Sequence, residues 1–184
     1  MACVVLNLVV PDLPGRPSED AMVAIKNILV ATDFSEPSGV ALAYGRDLAR
    51  SYNARLHVLH VVEDVILRYT PEIGLIGADL QNDLEATATR TINGLVTDDD
   101  RTGLNAAAIV EKGSNPAETI VKYAKNHAID LIVTGTHGRG VVEHFLMGSV
   151  AERVVRIASC PVLTVHAHER DFIIPDALTL AASV

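Results

Sequence analysis

Tryptophan is absent and aromatic residues make up only 4% of the 184. A core without large rings has to be built from Val, Ile, Leu and Ala, which pack well in a parallel sheet covered by helices on both faces. Cysteine is scarce too. Cys3 and Cys160 lie far apart and neither has a second thiol at metal or redox spacing, which argues against zinc or CxxC chemistry and predicts a reduced, cytoplasmic setting. Positive charge is in deficit, with 15 Lys and Arg against 23 Asp and Glu and a formal net charge of −8. Binding to a nucleic-acid backbone depends on releasing counterions to clustered basic side chains, so nucleic acid is not an expected partner. No stretch reaches the roughly 18 uninterrupted apolar residues of a membrane span, so no membrane association is expected. The opening MACVVLNLVV lacks the basic flank and small-residue cleavage pattern of a secretory leader.

What is present has a regular rhythm. Hydrophobic residues reach 49% and charged ones 21%, a globular profile, and the length suits one domain. Strand-like runs at Ile25 to Asp33, Arg55 to Glu63, Asn105 to Gly113, Ile129 to Gly135 and Pro161 to Ala167 alternate with helical stretches. In the first of these stretches Ser35 is the expected N-cap, and Val40, Tyr44, Leu48 and Tyr52 recur beside Ala41, Gly45 and Ala49 as one apolar face. Pro71, Gly74 and Gly77 mark a loop, after which Leu80, Leu84, Ala88, Thr91 and Leu95 define a long helix. Asn115, Pro116 and Glu118 spell a helix start. Val150, Val154 and Ile157, with Ala151, Val155 and Ala158, give the last helical face. Five strands separated by helices predict an open, parallel, three-layer α/β sheet with right-handed crossovers. The expected division is an N-terminal extension over 1–21, one domain over 22–168 and a C-terminal tail over 169–184. The extension is read as a strand added to a sheet edge, a contact with a neighbouring subunit, or a tail.

The segment GTHGRGVVEHFLMGS, Gly135 to Ser149, follows the fourth strand, where ligands of open α/β sheets bind. Glycines there let a ligand approach the backbone, and a helix beginning at Gly148-Ser149 presents unpaired N–H groups and a positive dipole end. Such a combination suits a chain of phosphates. The GxxxxGK[ST] phosphate loop is absent, and the first strand runs into ATDFSEPSG instead of the G-x-G-x-x-G of dinucleotide enzymes.

Gly-x2-Gly-x9-Gly-Ser after a strand, closed by PVLTV and preceded by NILVATDFSEPSGVAL, resembles the ATP-binding members of the universal stress protein family over about Val23 to His168. The resemblance implies a Rossmann-like sheet of strand order 3-2-1-4-5 and a homodimer formed through the last strand, Pro161 to Ala167. It also implies an adenine nucleotide, ATP or else ADP or AMP, with Mg2+, bound by a regulatory stress-response protein. Carried over by position, Asp33 falls near ribose and adenine, with Ala31 and Thr32 on the same wall. Val61 or Val62 meets the adenine through its backbone. Gly135, His137, Gly138 and Arg139 wrap the ribose and first phosphates, and Gly148, Ser149 and Val150 hold the terminal ones.

Plainer readings stand beside these. Asp33 also suits a turn before FSEPS, Arg139 a solvated loop, and His137 either a stacking or a space-filling role. Asp33, His137 or Glu143 could orient a water, but nothing in the sequence places one against a γ-phosphate, so slow turnover at most is expected. A dimerisation module without ligand is the other alternative. His166 and His168 share a strand face but lack a nearby carboxylate or thiol, so no metal site is expected. His57 and His60 fall on opposite faces. Cys160 reads as a small buried residue, and Tyr44 and Tyr52 as parts of a core stripe.

Overall fold

The computed structural model describes residues 6–7, 24–64, 74–136 and 148–166. Its sheet has the strands β1 (Leu6–Asn7), β2 (Asn27–Ala31), β3 (Arg55–Glu63), β4 (Ala107–Gly113), β5 (Leu131–Gly135) and β6 (Val162–Val165) in the order β1-β6-β5-β2-β3-β4. The five strands foreseen from the sequence are all parallel and take the order 3-2-1-4-5 in their own numbering. The addition is β1, which pairs antiparallel with β6 at Leu6↔Leu163 and Asn7↔Val162. Of the readings of the extension, the structure has the strand at a sheet edge.

Helices α1 (Glu36–Tyr52), α2 (Gly74–Leu95), α3 (Asp98–Gly103), α4 (Pro116–Asn126) and α5 (Ser149–Ile157) cover the sheet. Alternation along β2 and β3 sends Ile28, Val30, Leu56 and Val58 into one core with α1 and α2. Leu29, Ala31 and Leu59 enter a second core with α4 and α5. Both faces are therefore apolar, as a parallel sheet between two helical layers requires. Among the described residues no helix is long and apolar enough to cross a membrane.

Two helical faces differ from expectation. On α1 the small residues Ser38, Ala41, Gly45 and Ala49 are innermost with Leu42, whereas Tyr52 is 48% exposed. A side chain on Gly45 would overlap Val30, so the helix axis lies too close to the sheet for a large-residue stripe to face it. On α2, Ala88 and Ile92 point inward, as does Val96 just past its end, while Leu80 and Leu84 stay exposed. That helix also starts at Gly74, inside the expected loop. Cys160 is half-buried, and burial raises its thiol pKa.

Helix α3 has no counterpart in the sequence-based expectation. It opens on a capping box in which Thr97 Oγ1 accepts from Asp100 N–H at 3.1 Å and Asp100 Oδ2 accepts from Thr97 N–H at 3.0 Å. Asp100, only 2% exposed, is also gripped by Arg46 of α1: Nε lies 3.0 Å from both carboxylate oxygens and Nη2 2.8 Å from Oδ2. The same Nη2 donates to Leu95 O at 2.7 Å. One guanidinium thus ties α1, the end of α2 and the start of α3 together.

Candidate functional site

The strand order reverses at β2, which has β3 on one side and β5 on the other. Open α/β sheets leave a crevice at such a point, beyond the carboxyl ends of the strands. Here it is a cavity of about 530 Å³, within the usual range for a small-molecule site. β2 and its following turn contribute Ala31, Thr32 and Asp33, and α1 adds Ser38. β3 contributes Leu59, His60, Val61 and Glu63; β5 and the next residue contribute Thr134, Gly135 and Thr136. The starts of α4 (Pro116, Ile120) and α5 (Gly148 to Ala151) complete the walls.

The β2–α1 turn is held by a continuous set of hydrogen bonds. Ser38 Oγ donates to Ser35 O at 2.8 Å, so its single proton is committed and Thr32 Oγ1, 2.9 Å away, is the donor to it. Thr32 Oγ1 in turn accepts from Phe34 N–H at 3.1 Å. Asp33 Oδ1 accepts from both the N–H and the hydroxyl of Ser35, so the residue at the N-cap of α1 turns its hydroxyl back to Asp33 instead of capping the helix. Phe34 has φ 65°, a left-handed conformation uncommon for a residue of its size. The ring of His60 lies over it with centroids 4.1 Å apart.

The opposite wall is the start of α5. Gly148, the N-cap, has φ −65° and ψ 147°, and its own N–H donates to Thr136 O. The first bond within the helix is Glu152 N–H to Gly148 O at 2.9 Å. Ser149, Val150 and Ala151 precede it in the chain and line the cavity, and the first turn of a helix carries N–H groups without intrahelical partners and the positive end of the dipole. Among the described lining residues the charged or titratable side chains are Asp33, His60 and Glu63, with no Lys or Arg.

Of the residues singled out from the sequence, Ala31, Thr32, Asp33, Val61, Gly135, Gly148, Ser149 and Val150 converge on this cavity. Val62 does not: it is buried and absent from the lining, although His60, two positions earlier on the same strand face, is part of it. Gly135 lines the cavity, but a second cause fixes its lack of a side chain. A Cβ there would sit 2.9 Å from the carbonyl carbon of Pro37, so the docking of α1 demands glycine. His137, Gly138, Arg139 and Glu143 lie outside the described residues, as do Ala167 and His168.

Sequence reasoning missed Ser38, Leu59, His60, Glu63, Pro116, Ile120, Thr134, Thr136 and Ala151. Period-two continuation from Val61 gives Leu59 and Glu63, and flanking positions give Thr134, Thr136 and Ala151. Nothing local signals His60 or Ser38, because their partners come from the folding of the β2–α1 turn.

A model described as the universal stress protein family matches residues 24–166. A putative universal stress protein of Staphylococcus haemolyticus is 31% identical over 149 residues, covering 80% of this chain and 88% of the relative. The solved structure of the universal stress protein UspA from Lactobacillus plantarum is 30% identical with a TM-score of 0.69, covering 77% of this chain and 97% of that one. A universal stress protein solved in complex with cAMP is 22% identical with a TM-score of 0.54, covering 78% and 99% of the two chains, and shares the fold.

Proposed function

The chain belongs to the universal stress protein family, and on that premise we propose that it binds an adenine nucleotide, ATP foremost, as a stress-response regulator with slow or no hydrolysis. One observation carries the reading: the first residues of α5, Ser149, Val150 and Ala151, ahead of the first intrahelical bond, line a cavity at the point where the strand order reverses. Backbone donors at a helix start match the charge and geometry of phosphate oxygens. Asp33 and Val61 line the same cavity, which supports the roles toward sugar and base that the family resemblance implies for them.

The described lining carries two carboxylates, Asp33 and Glu63, and no basic side chain. A polyphosphate therefore gains from a divalent cation, and Mg2+ is the expected companion; it supplies charge neutralisation of the phosphates. The engagement of Asp33 Oδ1 by Ser35 favours a holding role over that of a base activating water, which supports binding without rapid turnover. ATP then acts by stabilising the state of the protein that it binds better.

The decisive variant is Ser149→Pro. Proline is tolerated at the first helical position, and Gly148 already has the extended conformation that precedes proline. The substitution removes one N–H while leaving the helix in place, and Ser149→Ala controls for the hydroxyl. We expect MgATP to raise the Tm of the intact protein, and Ser149→Pro to bind about ten- to a hundredfold more weakly than Ser149→Ala by calorimetry. Equal affinities in the two variants remove the phosphate from α5. No thermal shift with MgATP, and no nucleotide released by heating the purified protein, overturns the reading, and phosphate release followed over hours separates a binder from a hydrolase.

A homodimer through Pro161 to Ala167 is part of the same proposal. Because β1 pairs with β6 at Val162 and Leu163, a second copy reaches that part of the edge only where β1 gives way. Sedimentation should show a larger dimer fraction for the chain lacking residues 1–21 than for the intact chain; an unchanged fraction means that β1 does not compete.

A further inference from the structure

We propose that His60 is a positioning residue of this site, locking the β2–α1 turn so that Asp33 meets the ligand in one fixed orientation. The proposal rests on the nucleotide-binding reading above and adds a residue to which the family motif gives no part.

His60 Nδ1 lies 2.8 Å from Thr32 O. A carbonyl oxygen only accepts, so Nδ1 carries the proton. The ring also stacks on Phe34 with an interplanar angle of 28°. His60 thus holds the two residues that flank Asp33, one through its backbone carbonyl and the other through its ring. Neither contact is required by the sheet, since the β2–β3 pairing ends with Ala31↔Leu59 and the first bond beyond it is Thr32 N–H to Leu59 O at 2.9 Å. The turn has a reason to need such a clamp. Its left-handed residue, Phe34, is not glycine, and that conformation is retained in a bulky residue only when the surroundings over-determine it. Stacking against His60 and the bond to Thr32 Oγ1 supply this. A carboxylate on a loosened turn would sample orientations that a bound sugar has to select from, and affinity falls in proportion to the competent fraction.

The two interactions separate by substitution. His60→Phe keeps a ring for Phe34 and loses the donor; His60→Asn keeps an N–H near the place of Nδ1 and loses the ring. In ligand-free protein, hydrogen exchange at the Phe34 and Ser35 amides should be about tenfold faster in His60→Phe, and His60→Asn should restore most of the protection. ATP affinity should follow, falling about tenfold in His60→Phe and recovering in His60→Asn at comparable Tm. In an Asp33→Asn background His60→Phe should cause little further loss, because a residue acting through Asp33 is not additive with it.

Unchanged exchange in His60→Phe overturns the clamp. Faster exchange with unchanged ATP affinity, or a full additive loss on top of Asp33→Asn, overturns the positioning role. Where His60→Phe does not fold, His60→Asn decides: slow exchange and near-normal affinity support the proposal, and loss of both sinks it. If the intact protein binds no adenine nucleotide, the functional reading fails by itself and the exchange measurement still judges the clamp.

Discussion

Asp100→Ala is expected to lower the unfolding free energy by about 3–5 kcal/mol, because it leaves the Arg46 guanidinium without its carboxylate in a largely buried place. Arg46 is 23% exposed and Asp100 2%. The same change takes the acceptor from Thr97 N–H and so opens the start of α3. A domain of this size has about 5–15 kcal/mol in total, so the variant should lose a large fraction of its stability. Urea denaturation measures the difference, and a loss under about 1 kcal/mol would mean that the ion pair is replaced by solvent at little cost. Replacing both partners by apolar residues, Arg46→Met with Asp100→Leu, should recover a substantial part of the loss, since the penalty in the single variant is that of an unmatched charge. Burial by itself raises the Asp100 carboxyl, but the hydrogen bonds from Arg46 and Thr97 outweigh it and hold the pKa below its ordinary 3.8. This contribution is therefore present above pH 3.8 and is lost only as pH falls through the lower, folded value.

Acid should weaken the fold at a higher pH through His57. This side chain is 3% exposed under α4; its Nδ1 lies 2.9 Å from Tyr123 Oη, and its Nε2 has no hydrogen-bond partner among the described residues. His127 stacks on Tyr123 at 3.9 Å and sits 6.1 Å from the His57 ring. Burial first, then the charges of Arg55 and His127, lower the His57 pKa from 6.5 to about 4. Tyr123 is neutral there, its pKa raised by burial against the pull of Arg55, and Glu111 is the acidic group acting on it. The unfolded chain takes up a proton near pH 6.5 that the folded chain refuses until about pH 4. Stability is thus complete above that window and declines as pH falls across it, by on the order of 3 kcal/mol in all. Unfolding free energies of the wild type and His57→Gln at pH 7 and pH 4.5 test this. The wild type should lose more over the interval by about 2–3 kcal/mol; parallel losses would show that the histidine does not govern the acid response.

The strand-like run Ile25 to Asp33, and the start signal of Asn115, Pro116 and Glu118, were legible because each depends on neighbours in the chain. Asn115 Oδ1 does accept from Glu118 N–H, at 3.3 Å. The start of α5 at Gly148 and Ser149 was legible for a similar reason, since a glycine and a serine at a helix start carry their meaning locally. Faces were read less well. Tyr52, Leu80 and Leu84 have helical spacing but face solvent, because periodicity counts apolar residues and cannot measure how closely a helix approaches the sheet. Gly135 shows the same limit. The spacing marked it as part of a site, while its contact with Pro37 comes from a helix almost a hundred positions earlier in the chain.

The amino-acid sequence by itself determined the five parallel strands, four of their covering helices, the family and the glycine-serine start of α5, since these follow from hydrophobic period, caps and motif spacing. The tertiary structure alone decided that Val61 and not Val62 faces the cavity, that β1 sits on the edge of β6, and that His60 grips the turn carrying Asp33. It also decided that Arg46 and Asp100, 54 positions apart, share one buried ion pair. Each of these depends on the distance between segments remote in the chain, which closes only when the two cores form.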